Sequence, residues 1–144
     1  MIKRGADMTE KEELLKYRFK MKRVEQTLDD YERFKTRAEK MTAIISETSA
    51  HTNRISDKVG DNAIIMAELS KKYEIRWREA EKELNRILEL INRLDDPYRD
   101  ILYYRYIKFL DLKSVGDEIG YSYDRIKHLH GIALLKYKEV QDEL

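Results

Sequence analysis

The stretch Gly116–Leu134, GDEIGYSYDRIKHLHGIAL, is rich in helix formers on both sides of Gly120-Tyr121-Ser122 and breaks there. Gly ends a helix readily because it takes positive φ without a Cβ penalty. Ser starts the next one by accepting a bond from one of its free N–H groups. The break therefore reads as a built turn between two helices. From Leu112 to Leu129 the residue types follow the helix-turn-helix order. Val115, Ile119, Ile126 and Leu129 are apolar at the spacing that lets two helices cross, and Gly116 is small where they approach closest. Gly120 makes the turn and Tyr121 packs beneath it. With Ile126, Leu129 and Ala133 facing inward, Tyr123, Asp124, Lys127, His128 and Gly131 face outward, with Ser122 at the cap and Arg125 at the edge. That row is the candidate surface for reading double-stranded DNA.

Working outward, the sequence predicts an all-α protein. Of 144 residues 40% are charged, with one Pro and five Gly, a composition of long helices rather than strands and turns. Thr9-Glu10-Lys11-Glu12 has the form of a capping box, so a first helix starts there. Leu14, Tyr17, Met21, Val24, Leu28 and Tyr31 alternate spacings of three and four, and after one slipped step Phe34, Ala38, Met41 and Ile45 continue the stripe. A helix of that length spans ~55 Å. Glu47 to Arg54 is small, polar and aperiodic, a loop. Ser56-Asp57 offers a second N-cap, followed by a single stripe of Met66, Leu69, Tyr73, Trp77, Ala80, Leu84, Ile87, Ile91 and Leu94. Two one-striped helices joined by a loop close as an antiparallel hairpin, or each stripe pairs with another chain. Both arrangements fit the stripes, and both occur together if the hairpin leaves apolar surface for a dimer.

Asp95-Asp96-Pro97 ends this region, and a new helix is expected from Pro97 with an Asp before it as cap. It carries Ile101, Leu102, Tyr106 and Phe109 on or near one face, and Asp111 caps the short helix that ends at Gly120. Residues 1–94 thus read as a coiled-coil-like helical hairpin and oligomerisation region, and 95–144 as a helix-turn-helix DNA-binding domain.

Several function classes drop away. With no cysteine there is neither a disulfide framework nor a thiolate metal site, and a cytosolic setting is the simplest expectation. MIKRGADMTEKEE holds no apolar run of a signal peptide, and no segment approaches the ~20 apolar residues of a membrane span. His128 and His130, two apart on a helix, point in different directions and cannot share a metal, so His130 is expected to pack half-buried. Tyr103-Tyr104-Arg105-Tyr106 lacks the activating bases of a nucleophilic tyrosine and reads as core packing. No catalytic motif, metal cluster or cofactor loop is found, so no enzyme activity is expected. Lys16–Arg23, KYRFKMKR, holds five basic residues and no acidic one. It reads as a solvated flank whose charges answer nearby Glu residues, with phosphate contact as the alternative.

Three segments carry a resemblance. Ile55–Asp61 (ISDKVGD), Leu94–Ile107 (LDDPYRDILYYRYI) and Glu118–Leu134 (EIGYSYDRIKHLHGIAL) are similar to phage and prophage proteins of Gram-positive bacteria grouped as ArpU/RinA-type transcriptional regulators. Their C-terminal part resembles region 4 of sigma-70 family factors. The resemblance implies a sequence-specific DNA-binding protein of phage late or packaging genes, in the cytoplasm of a bacterial host and touching host RNA polymerase. It makes Ser122 through His128 the start of the recognition helix and Leu112 through Ile119 its support.

The formal net charge is +1. From Pro97 to Leu144 eight Lys/Arg stand against eight Asp/Glu, so this part is neutral. Phosphate contacts dominate nucleic-acid affinity, and a neutral module binds weakly alone. Homodimerisation through the N-terminal helices, or tethering to polymerase, would supply avidity. A transcription regulator is the first function class; a small terminase-like packaging protein and a helical adaptor without DNA binding are the others. A dimer favours the first, a closed ring the second, and no DNA binding at low salt the third.

Overall fold

The computed structural model describes residues 9–47 and 53–144. Residues 1–8, most of the expected loop (48–52) and the side chains of Ile45 and of residues 53–56, the expected cap Ser56 among them, lie outside the described residues. The described residues are helical, with no strand among them. Two long helices, α1 (Glu10–Glu47) and α2 (Asn53–Ile91), make an N-terminal hairpin within one chain, and three shorter helices follow, α3 (Tyr98–Leu102), α4 (Leu112–Ile119) and α5 (Tyr123–Asp142). By packing the chain divides into two units, one of Met1–Lys20 with Ala80–Leu144 and one of Met21–Glu79.

The expected capping box starts α1. The Glu12 N–H donates to Thr9 Oγ1 at 3.2 Å and the Thr9 N–H to Glu12 Oε2 at 2.9 Å, so two of the free donors of a helix start are satisfied reciprocally. α2 begins at Asn53, which puts the expected cap Ser56 inside the first turn rather than before it.

In the first unit Leu14, Tyr17, Ala80, Ile87, Leu90, Ile91 and Leu94 are buried. Each fully buried aliphatic side chain contributes ~1.5–3 kcal/mol. A charged cluster sits among them: Glu83 pairs with Arg86 at 2.6 Å and with Lys20 at 3.3 Å, and Arg86 also holds Glu13 at 2.8 Å. Burial alone would raise the Glu83 carboxyl, but Arg86 and Lys20 beside it hold it below the usual carboxylate range. Lys138 of α5 pairs with Glu10 of α1 at 3.5 Å.

Three expected stripe residues, Leu28, Met41 and Trp77, are exposed, two of them for a geometric reason. On α1 Thr27 is buried instead of Leu28, its hydroxyl donating to the Arg23 carbonyl at 2.8 Å. On α2 Trp77 is 45% exposed, while Arg76 is partly covered and Leu84 is half-buried. The covered positions keep the alternation of three and four through 73, 76, 80, 83 and 87. Choosing the most apolar neighbour at each step moves the stripe one residue off that seam.

The helix expected to run on from Pro97 stops early. Pro97 stands before α3 with no side-chain cap bond, and Asp96 pairs with Arg99 at 3.0 Å instead of capping. After Leu102 the chain widens into one π-helical turn, Tyr103–Ile107, whose closing bond runs from the Lys108 N–H to the Tyr103 carbonyl. Phe109 then takes a positive φ of 61°, strained for a residue with a Cβ. Its ring lies 5.6 Å from that of Tyr17 and carries the Arg18 guanidinium at 5.7 Å, contacts that hold the strained residue in place. Ile101, Leu102 and Tyr106 are buried as their spacing predicts.

Candidate functional site

The site is built on the corner between α4 and α5. Asp111 caps α4 by accepting from the Ser114 N–H at 2.8 Å, which holds its carboxyl below the ordinary range. α4 ends at Gly120, in the left-handed region at φ 89°, and the Gly120 and Tyr121 N–H groups both donate to the Gly116 carbonyl, at 2.8 and 2.9 Å. Ser122 then starts α5 by accepting from the Arg125 N–H at 3.3 Å. The turn takes three residues, as the sequence predicts.

Under the corner Ile101, Val115 and Ile126 form a buried cluster, and Leu112, Ile119, Tyr121 and Leu129 pack against it. Gly116 is also buried, and a Cβ there would meet the Tyr121 carbonyl oxygen at 2.6 Å. Leu112, Val115, Gly116, Ile119, Gly120, Tyr121, Ile126 and Leu129, the eight residues expected to support the corner, lie in or beneath it.

The outward row is exposed. Ser122, Tyr123, Asp124, Arg125, Lys127, His128 and Gly131 all face solvent, with the Tyr123 ring 48% exposed. They are not independent of one another. The Lys127 ammonium pairs with Asp124 at 3.3 Å and lies over the Tyr123 ring at 4.5 Å, while the Arg125 guanidinium lies over the Tyr121 ring at 4.5 Å. Lys127 is thus the cation at the centre of the row, partly answered by its neighbour, and Arg125 is held at its edge.

His128 and His130 point apart. His130 is buried behind the row, its Nε2 2.8 Å from the Tyr106 hydroxyl and its ring stacked on that of Tyr106 at 5.7 Å. Burial first, then the positive charges of Arg105 and Lys11, push its pKa down to about 4, so it is neutral at ordinary pH. Burial pushes Tyr106 up to about 12, the opposite of what a nucleophilic tyrosine needs. This pair fastens α5 to the π-helical turn.

Most of the basic run in α1 is answered locally. Lys16 pairs with Glu13 at 3.1 Å, Lys20 with Glu83, and Arg18 covers Phe109. In the second unit Arg23 lines a groove of about 510 Å³ together with Lys71, Lys72 and Arg76. That cationic groove was not legible in the sequence, because its members come from two helices and are interleaved with Glu68 and Glu79. Among the described residues no helix is long and apolar enough to cross a membrane.

Set against known proteins, the chain matches no family model, no curated protein and no solved structure.

Proposed function

We propose that the chain is a sequence-specific DNA-binding regulator that lays the N-terminal half of α5 in the major groove, with α4 as its supporting helix. The observation that carries this reading is the exposed row Tyr123, Asp124, Lys127, His128 and Gly131 on a helix braced from behind by a glycine corner and a buried cluster. A rigid support lets a few side chains reach base edges at fixed positions, which is what direct readout requires. Lys127 reaches guanine acceptors, His128 donates or accepts, and Tyr123 meets a thymine methyl or a phosphate. Arg125 meets the backbone. In its finer form, a phage or prophage late-gene regulator working beside host RNA polymerase, the reading rests on the resemblance to ArpU/RinA-type proteins.

The test is a titration by fluorescence anisotropy at several salt concentrations, on a duplex selected from a random pool and on a scrambled one. Lys127→Ala costs ~1–3 kcal/mol on the selected duplex and less on the scrambled one. Arg125→Ala weakens both alike and flattens the salt slope by about one unit. Asp124→Asn strengthens nonspecific binding, because the carboxylate that answers Lys127 is gone. No retention of any duplex at low salt by the wild-type chain would overturn the reading and leave a helical adaptor.

A further inference from the structure

The second unit, Met21–Glu79, has too little interior to hold two helices together. Among its described residues only Val24 and Thr27 are buried, and Thr27 uses its hydroxyl on its own helix. A pair of helices with one thin seam is marginal in water, and stability of such a unit usually comes from a further packed layer.

The two flanks of the seam differ in chemistry. One is the groove of Arg23, Lys71, Lys72 and Arg76. The other is a groove of about 360 Å³ in which Val59, Ala63 and Met66 of α2 meet Ala38 and Thr42 of α1. Along α2 the same face continues at spacings of three and four through Tyr73 to Trp77. Val59 is 46% and Trp77 45% exposed, and an indole half in water at the end of a continuous apolar face is an anchor without a socket.

We propose that this apolar flank is a two-fold self-association surface, on which a second copy of the hairpin docks to complete a four-helix bundle. Area, charge and shape all favour a second copy. From Val59 to Trp77 the face runs ~27 Å at 1.5 Å per residue. Two helices ~10 Å apart make it ~20 Å wide. Two copies therefore cover about 1,000 Å², the size at which a specific interface begins. On the rim Lys35 and Glu39 stand one helical turn apart on α1, and neither forms an ion pair among the described residues. In a two-fold pair each residue meets its counterpart reciprocally, so Lys35 of one copy can face Glu39 of the other. Nucleic acid does not fit a flank whose rim carries both charge signs, and the cationic groove on the other flank stays free.

The proposal is independent of what α5 binds, because its readout is mass and tryptophan emission. Trp77 is the single tryptophan, so burial at the interface reports directly. Sedimentation velocity of the full chain from about 1 to 100 μM is expected to show a monomer–dimer equilibrium, with the Trp77 emission shifting to the blue over the same concentration range. A glutamate at an anchor position, Val59→Glu, is expected to weaken the dimer about 30-fold or more. Lys35→Glu alone weakens it, and adding Glu39→Lys restores it. These rim variants leave the seam intact, so a folding defect in Val59→Glu does not decide the outcome. A chain that stays monomeric at 100 μM, a ring of more than two subunits, or a dimer untouched by Val59→Glu and by both rim changes overturns the proposal.

Discussion

Adding one methyl group at Gly116 tests the corner at its tightest point. A Cβ there lies 2.6 Å from the Tyr121 carbonyl oxygen and 3.2 Å from Ile126 Cγ1. The first neighbour is backbone and cannot swing aside, so the turn must open by about 0.8 Å to restore ordinary contact. Opening pulls on the bonds from the Gly120 and Tyr121 N–H groups to the Gly116 carbonyl, and on the packing of Ile126 against Val115 and Ile101. Overpacking of this kind costs ~1–3 kcal/mol, from which the helix preference of Ala over Gly returns ~0.5–1. The net expectation for Gly116→Ala is a loss near 1–2 kcal/mol. Gly131 supplies the control, since it lies in the interior of α5 and a Cβ there meets nothing within 4 Å. Gly131→Ala should therefore gain ~0.5–1 kcal/mol from propensity alone. Urea denaturation followed by far-UV circular dichroism measures both, and amide hydrogen exchange over α4 and α5 locates the change. A Gly116→Ala chain as stable as wild type, with unchanged protection at Tyr121 and Ile126, would refute the account of the corner.

Other outcomes follow from particular residues. The unfolded chain takes up a proton on His130 near pH 6.5, whereas the folded chain does so only near about 4. Stability is therefore full above 6.5 and falls as pH drops toward 4, by at most ~3 kcal/mol, and His130→Gln should flatten that slope in denaturation measured across the range. Ile87→Ala, at a fully buried position, costs ~2–5 kcal/mol, while Trp77→Ala changes the stability of the isolated monomer far less. Calorimetry in dilute solution separates the two, and equal losses would mean that the seam runs through Trp77. Removing Arg86 as Arg86→Met leaves the buried Glu83 with Lys20 alone and the partly buried Glu13 without its cation, and because Arg86 is itself partly in water a loss of only ~1–2 kcal/mol is expected; a neutral result would show that the cluster contributes little.

The local signals in the sequence were sufficient for the elements that depend on neighbours within a few residues. The Thr9 capping box, the Asp111 and Ser122 caps, the Gly120 turn and the no-Cβ demand at Gly116 all involve partners within about ten positions, and residue type alone selects them. The outward row on α5 was legible for the same reason, since helical period fixes which residues share a face once the inward ones are known. Tertiary structure decided what depends on the partner helix. The alternation of three and four along α2 brings its covered positions to Arg76 and Glu83, so Trp77 is left half in water although it is the more apolar choice. The positive φ of Phe109 is matched by ring contacts with Tyr17 and Arg18, some ninety positions away, which no local signal around Phe109 announces. The basic run Lys16–Arg23 was expected to answer nearby Glu residues, and Lys16 does so with Glu13 on its own helix; what the sequence could not show is that Glu83 and Phe109, distant in the chain, meet Lys20 and Arg18, since successive residues of a helix point in different directions.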